Sequence, residues 1–488
     1  MYKSVIFAAL SAQSSVSMAR EIISIKRKAL QINLQSSIYG TFAEIGAGQE
    51  VARTFFQAGG ASGTVAKTMS AYDMAFSDSI YGEEESGRYV TRSRLYKMLE
   101  HEYNLLQQRL VGEKYAGRRF FAFADNCSVL NYQKTNDPHS WMGLRFQLTP
   151  GGAYNDVILH IRMKDKDAIL QQKVIGTIGV NLIYACYWYY NDMNAFVDSL
   201  LDNLTRDQVE IDLLKITGPN FNIDNRLLAL KIVKRGYTSA TIFSSNREVF
   251  QPKDFLYKKN VLCLRSRFRP FTKLSEDMLR SGEFTFQKVL PKDSSFITLS
   301  ELTMNNLLAD TDSDPTDFLD RAEMLCQLGH TVLISNCDKH DKLVGFFQRC
   351  RTNHLGIVVG TMNLKELFTL NNYEDASREL LKYFGGVFVN KTIMIAYPYF
   401  DIETQNVVST KELQVPSELQ LLYQHLLQSK LIVDAENYHA EYMTIFSDKI
   451  VQMIADGKDE WKKLVPKKVE ELICQSSLFG YCKNPQEV

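Results

Sequence analysis

The chain has 488 residues, of which 45% are hydrophobic, so it can form two or three globular domains and is too apolar to be disordered. Its 56 basic and 56 acidic side chains give a formal net charge of zero. Because this balance provides no general attraction to a polyanion, we expect no nucleic acid partner.

The eight cysteines are scattered along the chain and form no CxxC pair. This spacing argues against structural zinc and against a dense disulfide framework. We therefore expect a reducing compartment, either cytoplasmic or organellar.

Residues 1–30 are predicted to be an N-terminal extension. The run "MYKSVIFAALSAQSS" has an early lysine, a short apolar core and a small-residue exit, which is the outline of a targeting peptide. The apolar core is at the short end for such a segment. The alternative is an exposed helix that leads into the basic "KRK" at 26–28.

Residues 31–150 are predicted to be a mainly helical region with glycine-rich turns. Apolar residues in "SRLYKMLEHEYNLLQQRL", 93–110, recur at three- and four-residue spacing, which indicates an amphipathic helix. Two apolar runs, "RFFAFAD" at 119–125 and "MGLRFQLTP" at 142–150, predict strands within it.

The stretch "GAGQEVARTFFQAGGASGTVAK", 46–67, packs five glycines into 22 positions. It matches neither the P-loop nor the dinucleotide-binding fingerprint. Glycine turns before helices nevertheless let backbone N–H groups approach an anion, so we predict a phosphate site here, with at least one glycine at positive φ. The alternative is close packing of helices through small residues. The candidate ligand-binding residues of this stretch are Gly46, Gly48, Gly60, Ser62, Thr64 and Lys67.

Two acid–base candidates follow this stretch. Asp73 lies in "MSAYDMAFSDSIYG", 69–82, and His139 lies in "DPHSWMGLRFQ", 137–147, beside the candidate anion ligand Arg145. The simpler interpretations are a helix cap or surface position for Asp73 and a solvated or hydrogen-bonded imidazole for His139.

Residues 151–400 are predicted to be an α/β body. Eight short apolar runs alternate with amphipathic helices, which indicates a parallel sheet covered on both faces, either a (β/α)8 barrel or a doubly wound sheet. Within it, Val174–Tyr190 is predicted to be a buried core helix rather than a membrane span. The last region, 401–488, is predicted to be helical. The predicted strands are 156–163, 210–217, 239–245, 260–268, 296–303, 331–336, 355–360 and 392–398.

Three arginines alternate at strand period in "LRSRFRPFT", 264–272. Arg265, Arg267 and Arg269 would then leave one face at the carboxyl end of a parallel strand, where α/β proteins bind ligands. Such close arginines need either carboxylate partners within the protein or an external anion. If the anion is a phosphate, they should lie close to the Ser62–Lys67 turn.

Several long motifs resemble an uncharacterised protein family of cyanobacteria and other bacteria. They include "INLQSSIYGTFAEIGAGQEVARTFFQAGG", "HSWMGLRFQ", "QQKVIGTIGVNLIYA", "FRPFT", "ELTMNNLLA" and "GHTVLISN". The resemblance covers about residues 31–481. Members of that family carry the automatic names TonB-dependent receptor and nicotinamide mononucleotide adenylyltransferase. Motifs here support neither name: amphipathic membrane strands are not visible, nor is a histidine pair near a phosphate loop.

Two functional hypotheses remain. The first is a soluble protein that binds a phosphorylated small molecule, as a nucleotide-handling enzyme would. The second is a non-enzymatic scaffold or self-assembling protein. The sequence leaves open whether the protein is an enzyme, and no motif identifies a cofactor or a metal. For either hypothesis we expect a homo-oligomer without a membrane span.

Overall fold

The computed structural model describes residues 20–311, 315–369 and 376–481. The predicted targeting segment lies mostly within residues 1–19, outside the described residues.

The chain divides into two compact units. Unit one extends to Val209 and includes Thr217–Phe221, and unit two comprises Glu210–Ile216 and the chain from Asn222 onward. The boundary between compact units therefore falls near residue 210, whereas the sequence analysis placed a boundary at 150.

Unit one contains six helices and five strands among the described residues. They are α1 (Ile25–Asn33), β1 (Ile38–Gly46), α2 (Glu50–Ala58), β2 (Val65–Met69), α3 (Met74–Tyr81), α4 (Arg92–Arg109), β3 (Arg119–Ser128), β4 (His139–Gln147), β5 (Tyr154–Met163), α5 (Ala168–Trp188) and α6 (Met193–Ser199). The chain passes between the units within β6 (Val209–Thr217).

The strands of unit one pair in the order β2-β1-β3-β4-β5. The first three are parallel, and β3, β4 and β5 are successively antiparallel. The prediction of a mainly helical 31–150 region is therefore wrong, because β1 to β4 lie within it. Strands such as β1 and β4 are buried almost throughout and lack the polar alternation that marks a half-exposed strand.

Helix α5 lies in the core of unit one. Its residues from Val174 to Tyr187 are buried, which confirms the prediction of a buried core helix. Gly179 allows the close approach to α2, because a Cβ there would lie 2.3 Å from a Val51 methyl carbon. Across the described parts of the chain, no helix has both the length and the apolar composition needed to span a bilayer.

Unit two contains ten strands and eleven helices among the described residues. They are α7 (Asn225–Lys234), β7 (Ala240–Phe243), β8 (Val249–Phe250), α8 (Pro252–Leu256), β9 (Val261–Arg265), α9 (Lys273–Val289), β10 (Ile297–Thr303), α10 (Met304–Thr311), α11 (Pro315–Gln327), β11 (Thr331–Ser335), α12 (His340–Arg349), β12 (Leu355–Gly360), α13 (Thr361–Leu367), α14 (Ala376–Val387), β13 (Thr392–Tyr397), β14 (Tyr399–Asp401), β15 (Asn406–Val408), α15 (Gln420–Gln428), β16 (Ile432–Asp434), α16 (Ser447–Ala455) and α17 (Lys467–Ser476).

The main sheet of unit two has the order β16-β13-β12-β9-β10-β11-β7-β8. Strands β9 to β13 and β16 are parallel, whereas β7 and β8 are antiparallel to their neighbours. From β9 the chain adds strands first on one side and then on the other, which gives an open, doubly wound sheet rather than a barrel.

All eight predicted strands of the α/β body are present, but they do not form one parallel sheet. The predicted strand 156–163 is β5, which pairs antiparallel with β4 in unit one. The few residues between β4 and β5 allow only a hairpin, because a parallel connection needs a crossover of a dozen residues or more. The predicted helical region 401–488 also contains the end of the β14–β15 hairpin and the edge strand β16.

Candidate functional site

The carboxyl ends of β1 and β3 form a topological switch point in unit one. Strand β2 follows β1 on one side, and the chain then crosses to place β3 on the other side. In α/β sheets, ligands bind in the crevice that such a reversal opens beyond the strand ends. The side chains at this edge are therefore the first place to look for a site.

Glu44 lies at this edge with its carboxylate under the first turn of α2. Its two oxygens accept hydrogen bonds from the backbone N–H groups of Gln49, Val51 and Ala52, at 2.9 to 3.0 Å. A helix N-terminus carries about half a positive charge and unpaired N–H groups, so it attracts an anion. Here the anion is a side chain of the protein itself.

Asp125 lies beside Glu44, since the two residues are register partners in the parallel β1–β3 pair. Asp125 is fully buried, and no described residue makes a hydrogen bond of standard geometry to its carboxyl oxygens, although the Ile45 backbone N–H opposes the rise of its pKa. Burial, and then the charge of Glu44, raise the pKa of Asp125 well above its ordinary value. Burial also raises the pKa of Glu44, although three N–H donors oppose that shift. When the pair of carboxyl groups holds one proton, we therefore assign that proton to Asp125 and the negative charge to Glu44.

The turn between β1 and α2 fits closely over this pair. Gly46 has a φ of 82°, which confirms the predicted positive φ, and a Cβ at Gly48 would lie 2.4 Å from an Asp125 oxygen. Gln49 also has a positive φ, 136°, which is strained for a residue with a side chain. Such strain persists where the surroundings enforce it, and it is concentrated at functional sites.

A groove of about 410 Å³ opens above Glu44. Polar groups from Gln49, Arg53 and Ser70 line it, together with the apolar side chains of Phe56 and Met69. Its volume falls in the range of small-molecule sites, about 300–1,000 Å³. The groove can hold a small ligand against the buried carboxylate of Glu44, which lies beside the carboxyl group of Asp125.

Cys127 lies on β3, two residues beyond Asp125, but is not a nucleophile here. Burial, followed by the charges of Asp125 and Glu44, raises the pKa of its thiol well above the ordinary value. A thiol in that environment stays neutral, and the thiolate is the reactive form.

The second glycine turn has a different structural role. Gly59 and Gly60 have φ angles of 87° and 73° and end α2; only a single 3-10 turn, Ala61–Gly63, follows them, and no α-helix. The Asn33 side chain donates hydrogen bonds to the Gly59 and Phe55 carbonyl oxygens, so it caps the helix C-terminus. This turn leads into the amino end of β2, at the sheet edge opposite Gly46, about 20 Å away by strand length.

The predicted ligand residues after this turn do not join the groove. Ser62 is exposed, and Thr64 is buried before β2 begins. Lys67 lies within β2 and forms a 2.5 Å ion pair with the buried carboxylate of Glu102. The two glycine turns therefore do not form a common phosphate cradle.

The predicted acid–base residues are held by local contacts. Asp73 accepts a hydrogen bond from the Phe76 N–H and caps α3, as the simpler interpretation expected. His139 Nδ1 lies 3.0 Å from His160 Nε2. Arg145 forms a bidentate pair with Asp156 at 2.8 Å. None of these predicted residues lines the groove above Glu44.

The three arginines belong to unit two, and each has a carboxylate partner. Arg265 forms two hydrogen bonds with the buried Glu301 at 2.9 and 3.0 Å. The other two pairs are Arg267 with Asp448 at 3.0 Å and Arg269 with Asp317 at 2.7 Å. Strand β9 ends at Arg265, so strand alternation does not align the three side chains. The alternative interpretation, neutralisation by carboxylates of the protein, is confirmed for all three.

The sequence analysis missed Glu44 and Asp125. A signal was present, because each is the only acidic residue in an otherwise apolar run, "YGTFAEIG" and "RFFAFAD". A lone carboxylate near the end of a buried strand needs a partner or a raised pKa.

Comparisons with known proteins leave the family open. No family model matches the sequence, and no curated protein matches it. Among solved structures, the competence/damage inducible protein CihA of Agrobacterium tumefaciens is 17% identical, covering 33% of this chain and 93% of its own, with a TM-score of 0.23.

Two CinA superfamily proteins show the same degree of similarity. The Klebsiella pneumoniae protein is 10% identical and covers 34% of this chain and 95% of its own, with a TM-score of 0.23. The Escherichia coli protein is also 10% identical, covering 38% and 96%, with a TM-score of 0.24. At TM-scores this low, the likeness carries no inference about function.

Proposed function

We propose that the protein binds a phosphorylated small molecule in the groove of unit one. A hydrogen-bond donor of the ligand would contact Glu44, and its phosphate would contact Arg53. The observation that carries this proposal is the Glu44 carboxylate, which is 2% exposed and borders an open groove.

Glu44 has room for one further donor. A carboxylate offers about four acceptor positions, and backbone N–H groups occupy three of them. An N–H or amino group of a ligand would fill the fourth with a charge-assisted hydrogen bond. A phosphate at the same point would be repelled by the carboxylate, so the phosphate belongs elsewhere in the groove.

Arg53 supplies the cation for that phosphate. Its side chain is 62% exposed, and among the described residues its guanidinium pairs with Glu50 alone, at 3.0 Å. Exposed pairs three residues apart on a helix are worth a few tenths of a kcal/mol, roughly 0.2–0.5, so a phosphate can displace Glu50. A nucleotide carries both required features, since its base bears N–H donors and its other end bears phosphate.

Isothermal titration calorimetry with the full chain tests this proposal. Nucleoside monophosphates and the corresponding nucleosides are titrated into wild-type protein, Arg53→Gln and Glu44→Gln. We expect Arg53→Gln to weaken monophosphate binding about tenfold, the size of a charge-assisted hydrogen bond of about 1.5 kcal/mol, and to leave nucleoside binding unchanged. Glu44→Gln should weaken both.

Arg109→Gln is the matched control, because Arg109 is exposed on α4 and does not line the groove. Circular dichroism melts establish that each variant is folded. Equal losses in Arg53→Gln and Arg109→Gln would refute the phosphate contact. Wild-type protein that binds no monophosphate at all would refute the proposal as a whole.

A second candidate function is a self-assembling scaffold. Three large apolar side chains at the start of α3 are exposed: Tyr72 at 82%, Met74 at 56% and Phe76 at 60%. Clustered exposed apolar groups are typical of interaction surfaces. Sedimentation velocity of wild-type protein and of Tyr72→Ser/Phe76→Ser should show loss of an oligomer, and a wild-type monomer would exclude this function. Tyr132→Ser, at another exposed tyrosine, is the control.

A further inference from the structure

Asp277 of α9 is a buried carboxylate that organises a polar cluster in unit two. Its side chain is 2% exposed. Oδ2 accepts hydrogen bonds from the Tyr397 hydroxyl at 2.7 Å and from the His439 backbone N–H at 2.8 Å. Burial raises the pKa of this carboxyl, but its hydrogen bonds, that of Tyr397 first, outweigh burial and lower the pKa below its ordinary value. Asp277 is therefore an anion held in a fixed position.

This anion orients the imidazole of His439. Nδ1 of His439 lies 2.8 Å from Asp277 Oδ1, while the side chain remains 41% exposed. The ring also contacts that of Tyr442, with centroids 5.5 Å apart. A carboxylate on Nδ1 fixes the ring and directs Nε2 away from the protein, as in acid–base catalytic pairs. No described residue hydrogen-bonds Nε2.

Arg280 completes the cluster one turn further along α9. Its Nη2 donates to Asp277 Oδ1 at 2.5 Å and also contacts His439 Nδ1. The rest of the guanidinium is free to bind outward, because 49% of the side chain is exposed and Nη1 and Nε have no described partner. The Asp277 carboxylate thus holds Arg280 and His439 side by side. Each of these two side chains presents at least one nitrogen without a described partner to solvent.

The position of the cluster in the sheet is that of an α/β ligand site. Tyr397 is the last residue of β13, and His439 follows the end of β16. The Tyr397 carbonyl oxygen accepts a hydrogen bond from Thr361, which follows β12. Strand β12 borders the switch point with β9, and ligands bind beyond the carboxyl ends of strands at such points.

We infer that Arg280 and His439 form an oxyanion-binding site in unit two, with Asp277 as the residue that positions both. The ligand is a small molecule with a phosphate or carboxylate group. Its oxygens accept hydrogen bonds from the outer guanidinium nitrogens of Arg280 and from an Nε2–H of His439. The guanidinium and the imidazole together suit such a group, because both are planar and offer N–H donors. The site is separate from the proposed groove of unit one.

NMR of the full chain with 13C-labelled histidine Cε1 tests the inference. Inorganic phosphate and acetate are titrated separately, and the His439 signal is assigned from its loss in His439→Gln. We expect one of the two anions to shift this signal in a saturable way. Arg280→Gln should weaken that binding at least tenfold, and the anion that binds identifies the ligand class.

His425 serves as the matched control, because it is exposed in unit two and has no carboxylate partner among the described residues. Its signal should not saturate, and His425→Gln should bind the anion as wild type does. Arg280 and His439 are both partly exposed, and after either substitution the Tyr397 hydroxyl and the His439 backbone N–H still hold the buried Asp277, so we expect both variants to fold. Equal shifts of His425 and His439, or unchanged affinity in Arg280→Gln, would overturn the inference.

Discussion

Replacing Asp125 by asparagine should change how the stability of unit one depends on pH. In the folded protein, burial and the neighbouring Glu44 raise the pKa of Asp125 well above that of an unfolded aspartate, about 3.9. The folded state therefore holds a proton that the unfolded state has released. Its stabilising contribution is complete below pH 3.9 and is lost as the pH rises towards the folded pKa.

The size of this pH dependence follows from the number of protons that the folded and unfolded states bind. Within that interval the folded state binds one more proton than the unfolded state, so wild-type protein loses about 1.4 kcal/mol of unfolding free energy per pH unit. Asp125→Asn has the same shape and no proton to release. It should equal wild type near pH 3.9 and become more stable by about 1.4 kcal/mol with each further pH unit.

Urea unfolding at pH 4, 5, 6 and 7 measures this difference. In a Trp461→Phe background, fluorescence reports Trp141 and Trp188, both in unit one. The pH at which the difference stops growing gives the folded pKa of the acid pair. A difference that stays constant over this range would show that the buried pair holds no extra proton, and the assignment of the proton to Asp125 would be wrong.

Two further predictions concern packing and charge. Gly48→Ala should destabilise unit one by about 1–3 kcal/mol, because the new Cβ would lie 2.4 Å from a carboxyl oxygen, whereas Gly117→Ala, which meets open space, should change the melting temperature little. Arg265→Met should cost about 3–5 kcal/mol in urea unfolding, because it leaves the fully buried Glu301 without its cation. Arg267→Met, whose pair is 42% and 68% exposed, should cost less than about 1 kcal/mol, and similar costs for both arginines would contradict the role of burial.

Local patterns in the sequence predicted local structure well. The eight apolar runs between 156 and 398 are all strands, and Val174–Tyr187 is buried within α5, with the half-buried residues 188–190 at its end. Gly46 has the positive φ expected of a glycine turn. These outcomes depend on backbone sterics and on the apolar character of neighbouring residues, and both can be read within a short window of sequence.

The structural role of the two glycine turns could not be predicted from a short window of sequence. The Gly46–Gly48 turn does precede a helix N-terminus that binds an anion, but the anion is Glu44. The Gly59–Gly60 turn ends the α-helix α2 and leads into a single 3-10 turn instead of starting a second α-helix. Glycine pairs look alike in both settings, since each requires only a permissive backbone.

The carboxylate partners of the predicted arginines were decided by tertiary structure. Arg265 meets Glu301 36 residues away, and Arg267 meets Asp448 181 residues away. Glu44 and Asp125 become neighbours only because β1 and β3 align in parallel. Between residues 156 and 398 the sequence by itself determined where the strands form, because strand formation there depends on nearby residues, whereas it did not identify β1 and β2. Which carboxylate remains available for a ligand depends on partners that only the folded chain brings within hydrogen-bonding distance, and the sequence pattern does not contain those distances.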